Sequence, residues 1–206
     1  ARRRGGMLAR KAQTGLLNLQ TAGMDELSAA VWKATTDDLF EPKEKHVAAI
    51  VRAAAEADGR AALVTPLLKR VHTCGVRPVT AAKTLYLLHK LTLMGADDLL
   101  AQPREEMAAI LARGGLPAVL VDYASYVLQL CTWDDASVFR NADAPAFWRG
   151  MHLAQVLKGL PPVQALLDAA FALALEDREV STPAQASLHL AVAEDAFALF
   201  RCEAAA

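Results

Sequence analysis

The chain has 206 residues, of which 54% are hydrophobic, and its formal net charge is −1. A chain of this length and composition can bury the core of one large domain or two small ones, and its scattered prolines and glycines do not favour disorder. The near-zero net charge argues against a nucleic-acid-binding protein.

Charge is unevenly distributed along the chain. Residues 1–70 hold twelve Lys or Arg and eight Asp or Glu, a balance of +4, whereas residues 71–206 have a balance of −5. A basic N-terminal part can turn toward an anionic surface. The charge pattern therefore favours a protein that orients one end on such a surface.

A basic arm opens the chain over residues 1–15. It lacks the long apolar core of a signal peptide, so we expect a cytoplasmic protein. The arm is either a frayed terminus or a short helix that lies on anionic lipid. In the second interpretation, its membrane-contact residues are Arg2, Arg3, Arg4, Arg10 and Lys11.

Two helices are predicted to follow the arm. Apolar periodicity predicts the first over residues 16–34, and the segment 35–41 interrupts it. Glu41 and Pro42 predict that the second helix begins at Pro42, because proline at the first helical position loses an amide that would be unpaired anyway. This helix is expected to run to residue 58, where Asp58 and Gly59 are typical of a helix end.

The corner between these helices gathers Lys33, Lys43, Lys45 and His46. The first turn of a helix carries unpaired amides and the positive end of the helix dipole, so lysines there are unfavourable unless an anion joins them. With an anion present, amides, dipole and lysine charge act together, which predicts a site for a phosphorylated head group. On local charge alone, the alternative is solvated lysines that nearby carboxylates neutralise: Asp37, Asp38, Glu41 and Glu44.

The spacing of these residues resembles a known motif. Lys33, nine residues, Lys43, any residue, Lys45 and His46 is similar to the lysine and histidine motif of the ANTH domain of clathrin assembly proteins of the CALM type. The resemblance covers residues 30–47, including Val-Trp-Lys-Ala-Thr-Thr before the corner and Pro-Lys-Glu-Lys-His at its end. It implies that Lys33, Lys43, Lys45 and His46 bind phosphatidylinositol 4,5-bisphosphate.

The rest of the chain also reads as helical. Residues 79–94 are apolar almost all round, which predicts a central helix, with Thr80, Lys83 and Lys90 on one stripe facing solvent. Short connections favour a stack in which each helix packs on its neighbours. The remaining predicted helices span 60–73, 104–113, 116–132, 144–158, 161–176 and 183–201.

The ANTH resemblance continues in residues 67–70, 81–91, 122–128 and 193–201. It implies an all-α, right-handed superhelix (an α-solenoid) of roughly eight to ten helices. The ANTH-like helical domain would occupy residues 16–206 and be C-terminally truncated relative to the family. One departure is Arg77-Pro78, where the family usually has Asn-Trp.

Other chemistry is not indicated. No nucleophile elbow, phosphate loop or zinc-protease helix occurs, so we expect no enzyme, no catalytic residue, no metal and no cofactor. Without an apolar run of eighteen residues free of charge, no membrane span is implied. The isolated histidines His89 and His152 read as satisfied core residues. The unpaired cysteines read as buried thiols of a reducing compartment: Cys74, Cys131 and Cys202.

The resemblance implies a phosphoinositide-binding adaptor of clathrin-mediated endocytosis that promotes coat assembly. It would be cytoplasmic and peripheral at the plasma membrane, in clathrin-coated pits and vesicles. Its partners would be membranes with phosphatidylinositol 4,5-bisphosphate, clathrin, the clathrin adaptor complex and SNARE cargo, without nucleic acid. The alternative is an α-helical protein interaction scaffold that binds SNARE or other helices without specific lipid recognition.

Overall fold

A computed structural model describes residues 21–74, 77–132, 146, 149–175 and 182–205. Within these residues there are eight helices and no strand, which confirms the all-α class. The helices are α1 (Glu26–Ala34), α2 (Glu44–Ala54), α3 (Ala57–Thr73), α4 (Pro78–Thr92), α5 (Asp97–Arg113), α6 (Ala118–Cys131), α7 (Leu153–Leu175) and α8 (Pro183–Glu203).

Each helix packs against those that follow it. Helix α1 contacts α2 and α3, α2 contacts α3 and α4, and α3 contacts α4 and α5. Helix α4 also packs against α5, α6 and α8, and side chains all round it are buried, among them Leu85, Leu87 and Leu91. The predicted central helix is therefore confirmed, and α4 forms the middle of the hydrophobic core.

Helix α1 begins later than the apolar pattern predicted. Residues 21–23 form a turn in which Gly23 has φ of +84°, a conformation that favours glycine. Asp25 caps the helix, because its Oδ1 accepts a hydrogen bond from the Ser28 amide at 2.8 Å. Hydrogen bonds from the Ser28 side chain and amide lower the pKa of Asp25. The predicted helix over 16–34 was thus wrong at residues 21–25, and residues 16–20 lie outside the described part.

The boundary between α2 and α3 also differs from the prediction. Helix α2 begins at Glu44 with Lys43 as its N-cap, so Pro42 precedes the helix. Gly59 lies in the first turn of α3 and does not end α2. A Cβ at Gly59 would lie 2.8 Å from the carbonyl carbon of Ala53, because α3 starts directly against the last turn of α2. Gly59 therefore permits a close backbone approach.

Gly59→Ala should destabilise the fold by about 1–3 kcal/mol, because the added methyl group overlaps with backbone that must shift to admit it. Urea unfolding followed by circular dichroism measures the change. Glu105→Ala, a substitution at an exposed position of α5, serves as control and should stay within about 0.5 kcal/mol of wild type. Equal stability of Gly59→Ala and wild type would contradict the close contact.

Two later helices are longer than predicted. Helix α5 begins at Asp97, seven residues before the predicted start. Helix α7 continues through Pro161 and Pro162, where a break between two helices was predicted because proline removes a hydrogen bond of the helix interior. Of the predicted 144–158 helix, residues 144–145 and 147–148 lie outside the described part. The prediction for α8 agrees closely with the structure.

Helix α7 contains one segment, Leu153–Leu173, that is long and apolar enough to cross a membrane by length and composition alone. Core helices of water-soluble domains pass the same test. The segment carries Lys158 and Asp168, and α7 packs against α6 and α8.

A buried polar cluster ties α4, α6 and α8 together. His89 Nδ1 lies 2.6 Å from the Tyr123 hydroxyl, and His89 Nε2 lies 2.5 Å from Asp195 Oδ2. The Tyr126 hydroxyl donates to the same carboxylate oxygen at 2.7 Å. All four side chains are buried, so His89 is confirmed as a satisfied core histidine. We call this group the His89 cluster.

The other predictions for single residues have mixed outcomes. His152 is exposed, so its prediction as a core residue was wrong; its carbonyl accepts from the Gln155 and Val156 amides at the start of α7. The three cysteines are buried thiols, as predicted. Burial raises the pKa of the Cys74 thiol to about 11.

Candidate functional site

The segment between α1 and α2, residues 35–43, is here called the α1–α2 loop. Its first residue, Thr35, is buried and donates a hydrogen bond from Oγ1 to the Val31 carbonyl at 2.7 Å. Arg70 of α3 donates to Thr35 twice, from Nε to Oγ1 at 2.6 Å and from Nη2 to the carbonyl oxygen. The Arg70 guanidinium also lies 4.3 Å from the ring centre of Trp32. These contacts fix the start of the loop on α3.

A buried ion pair holds the middle of the loop. Lys83 Nζ of α4 donates to Asp38 Oδ1 at 2.7 Å, and Asp38 also accepts from Thr36 Oγ1 at 2.7 Å and from the Phe40 amide at 3.1 Å. Burial favours a neutral Asp38, but the hydrogen bonds from Lys83 and Thr36 outweigh it and lower the Asp38 pKa. Burial lowers the pKa of Lys83. The loop is thus anchored on α4 by a charged contact away from bulk water.

The predicted solvent-facing stripe of α4 was wrong for two of its three residues. Thr80 and Lys83 are buried, at 0% and 1% exposure, because α4 is surrounded by other helices and its lysine is covered by the α1–α2 loop. Lys90 is partly exposed, with its ammonium 3.9 Å from Glu194.

Two of the four carboxylates expected to neutralise the corner are directed elsewhere. Asp38 is paired with Lys83, and Asp37 Oδ2 lies 3.5 Å from Arg77 Nη1 at the start of α4. The second pair is exposed and therefore weak. Lys83 of α4 and Arg77, the residue before α4, thus hold these two carboxylates. This arrangement leaves the lysines of the corner less well compensated.

The four predicted site residues lie at the end of α1 and the start of α2, two helices that pack together. Lys33 lies in the last turn of α1, Lys43 is the N-cap of α2 without a side-chain capping bond, and Lys45 is in the first turn. Burial lowers the pKa of His46, and the positive charges of Lys45, Lys33 and Lys43 lower it further. The structure therefore brings Lys33, Lys43, Lys45 and His46 into one electrostatic neighbourhood, here called the lysine corner.

A cleft of about 500 Å³ runs between α1 and α2 beside this corner. Lys33, Lys45 and His46 line it, whereas Lys43 is not among its lining residues. Arg52 also lines the cleft and was missed by the sequence reasoning. The signal was present, because Arg52 follows Lys45 by seven residues, which is two helical turns. The acidic residues of the cleft are Glu26 and Glu56.

The membrane-contact residues predicted for the arm lie outside the described part of the chain: Arg2, Arg3, Arg4, Arg10 and Lys11. Their predicted role stays a prediction. The same holds for the boundary between the arm, residues 1–15, and the domain after it.

Comparison with known families finds a match over part of the chain. Residues 26–111 match the family model of the ANTH domain, which covers the lysine corner and helices α1 to α4 with most of α5. A search of curated proteins returns no match. ANTH domains are non-enzymatic adaptors of endocytosis that bind phosphoinositide membranes. The predicted resemblance is confirmed at the level of the domain, whereas the CALM type stays a prediction. Residues 26–111 of this chain are therefore similar to the ANTH domain.

Proposed function

We propose that the lysine corner binds the head group of phosphatidylinositol 4,5-bisphosphate and that the chain acts as a membrane adaptor in clathrin-mediated endocytosis. One observation carries the proposal: Lys33, Lys45 and His46 line one cleft between α1 and α2, and Lys43 is the N-cap residue of α2. Like charges held together are costly until an anion joins them. The position at the N-terminus of α2 adds backbone amides and the helix dipole to the attraction for phosphate.

Each residue has a proposed role. Lys43 and Lys45, both exposed at the start of α2, contact the ring phosphates. Lys33 approaches from the end of α1, and His46 donates a hydrogen bond to a phosphate oxygen. Arg52, at the other end of the cleft wall formed by α2, attracts the anion over a longer distance.

The experiment is co-sedimentation with vesicles of phosphatidylcholine alone and of phosphatidylcholine with phosphatidylinositol 4,5-bisphosphate. We expect binding only to the second kind, and the affinity should fall as salt rises, because the interaction is mainly electrostatic. Vesicles in which phosphatidylserine supplies the same negative charge test whether the protein recognises the phosphoinositide head group or only negative charge. Equal binding to both anionic vesicles would overturn specific recognition of the head group.

His46 should make head-group binding depend on pH. Its pKa is below the ordinary 6.5 in the free protein, and a bound anion should raise it, so binding takes up a proton and strengthens as pH falls. The phosphates lose charge near pH 6, which acts in the opposite direction on every variant. Comparison with His46→Gln removes this common effect.

Titration calorimetry with soluble inositol 1,4,5-trisphosphate between pH 7.5 and 5.5 measures the effect. The ratio of wild-type affinity to His46→Gln affinity should increase several-fold toward low pH. A ratio that stays constant over this range would show that His46 does not exchange a proton on binding.

We further propose that the domain extends beyond the matched segment to α8, over residues 16–206. The His89 cluster supports this, since it joins α4 inside the matched segment to α6 and α8 outside it. Clathrin, the clathrin adaptor complex and SNARE cargo are the proposed partners at coated pits of the plasma membrane.

A second candidate function is an α-helical protein interaction scaffold. Exposed apolar side chains on α8 favour it: Leu190, Phe197 and Phe200. A scaffold of this kind should ignore the identity of the lipid, so the three vesicle compositions also distinguish the two functions.

A further inference from the structure

The tip of the α1–α2 loop exposes two consecutive large apolar side chains. Leu39 is 56% exposed and Phe40 is 49% exposed. Single exposed apolar residues are common on protein surfaces, but an adjacent pair on a loop is less so, since loops are usually polar. Phe40 precedes Lys43 by three residues, which limits the span between their Cα atoms to about 11 Å. The apolar tip is therefore next to the lysine corner.

The contacts that anchor the loop also hold Leu39 and Phe40 in their exposed positions. The charged side chain of Asp38 faces Lys83, which is 1% exposed, while the next two residues are left in solvent. The Phe40 amide donates to the Asp38 carboxylate at 3.1 Å, so the same carboxylate fixes the backbone of the tip. Asp38 and Lys83 thus hold the loop from beneath, and the side chains of Leu39 and Phe40 face solvent. A rigid platform of this kind reduces the entropy lost when the tip binds a surface.

Charge around the tip indicates what covers it. Lys83 and Arg77 pair with carboxylates of the loop itself, whereas the exposed cations that follow the tip along the chain are Lys43 and Lys45 of the lysine corner. Apolar side chains with lysines beside them fit the boundary between lipid head groups and acyl chains, where the side chains are buried about 5–10 Å deep and the cations meet phosphates. Exposed carboxylates are also present: Asp37 and Glu41 lie in the loop, and Glu44 lies in the first turn of α2. Asp37 is 3.5 Å from Arg77, which leaves two glutamates beside the three lysines of the corner.

We propose that Leu39 and Phe40 insert into the acyl-chain boundary of an anionic bilayer when the lysine corner binds a phosphoinositide head group. This inference rests on the proposed function and deepens it: the corner recognises the head group, and the loop tip adds affinity that is available only at a membrane. The ligand of the complete site is then a bilayer surface and not a free inositol phosphate.

The test separates these two contributions. Leu39→Ser with Phe40→Ser should bind soluble inositol 1,4,5-trisphosphate within about twofold of wild type and bind phosphatidylinositol 4,5-bisphosphate vesicles at least about tenfold more weakly, because the apolar area buried in lipid is lost. Phe197→Ser with Phe200→Ser is the matched control, since it removes two exposed apolar side chains from α8. This control should bind vesicles like wild type.

A second measurement reports directly how deep the loop tip inserts into the bilayer. In the Leu39→Cys variant, the new thiol is labelled with an environment-sensitive nitrobenzoxadiazole group. The three native cysteines are buried and should react poorly with the labelling reagent. We expect a blue-shifted emission on phosphatidylinositol 4,5-bisphosphate vesicles and quenching by acyl-chain spin labels. The same label at Phe197→Cys should keep the emission it has in water.

The outcomes are distinguishable. If the wild-type protein binds neither inositol 1,4,5-trisphosphate nor the vesicles, the proposed function is wrong, and the insertion is wrong with it. Normal wild-type binding, together with unchanged vesicle affinity of the double serine variant or an unshifted label, would overturn the insertion alone. A label that shifts only when a coat protein is added would also overturn it and would assign the tip to a protein partner.

Discussion

Reversal of two charges at the lysine corner, by Lys43→Glu with Lys45→Glu, should abolish binding to vesicles that contain phosphatidylinositol 4,5-bisphosphate. Each basic residue near an anionic membrane contributes about 1 kcal/mol, and reversal removes one charge and adds its opposite. Two reversals therefore cost about 4 kcal/mol, which is roughly a thousandfold in affinity. Co-sedimentation or surface plasmon resonance on supported bilayers measures this loss.

The same double variant should remain folded, which makes the result easy to interpret. Both lysines are exposed, and carboxylates at a helix N-terminus interact favourably with the dipole by about 0.3–1 kcal/mol each. The melting temperature should therefore stay equal to that of wild type or rise. A gain of stability with a loss of binding is the pattern expected where lysines are retained for a ligand at a cost to the helix.

A matched control separates local from overall charge. Lys158→Glu with Arg201→Glu changes the net charge by the same amount at exposed positions of α7 and α8. This control should bind vesicles nearly as well as wild type. If both double variants lose affinity equally, the attraction comes from net charge and the assignment of the site to the lysine corner is wrong.

Asp195→Ala should reduce the free energy of unfolding by about 3–5 kcal/mol. Asp195 is fully buried and accepts hydrogen bonds from Tyr126 and His89. The alanine leaves these two donors without their acceptor inside the protein, at about 1–3 kcal/mol each, and leaves a cavity. Thermal and urea unfolding monitored by circular dichroism measure the loss.

Two further variants test the origin of this loss. Asp195→Asn keeps the shape and one acceptor oxygen, so it should be less destabilising than the alanine variant. Glu194→Ala changes the exposed neighbour, whose carboxylate is 3.9 Å from Lys90, and should alter stability by less than about 1 kcal/mol. A loss below 1 kcal/mol for Asp195→Ala would mean that the cluster is hydrated or rearranges.

The lysine corner was predictable from sequence because its residues lie within fourteen positions of each other on two helix ends. Local spacing determines their proximity once α1 and α2 pack together. The anchoring of the loop was not predictable, because Lys83 lies 45 residues from Asp38 and hydrophobic periodicity does not record which segment covers a helix. For the same reason, Lys83 and Thr80 were wrongly assigned to solvent.

The predicted helix boundaries were wrong where local sequence signals compete with tertiary packing. Asp58 and Gly59 resemble a helix end, but the glycine serves a close approach of α3 to Ala53. Pro161 and Pro162 resemble a break, yet α7 continues through them. Propensity is a weak determinant of such boundaries, since tertiary packing overrides it.

The His89 cluster also has a consequence for how the protein is made. His89 and Asp195 are separated by 106 positions, so the ribosome releases α4 well before it releases the carboxylate that completes the cluster. Until then the His89 imidazole and the Tyr126 hydroxyl lack the carboxylate that accepts from them in the folded protein. A chain that ended before residue 195 would lack this buried acceptor, and we expect it to be less stable than the full chain.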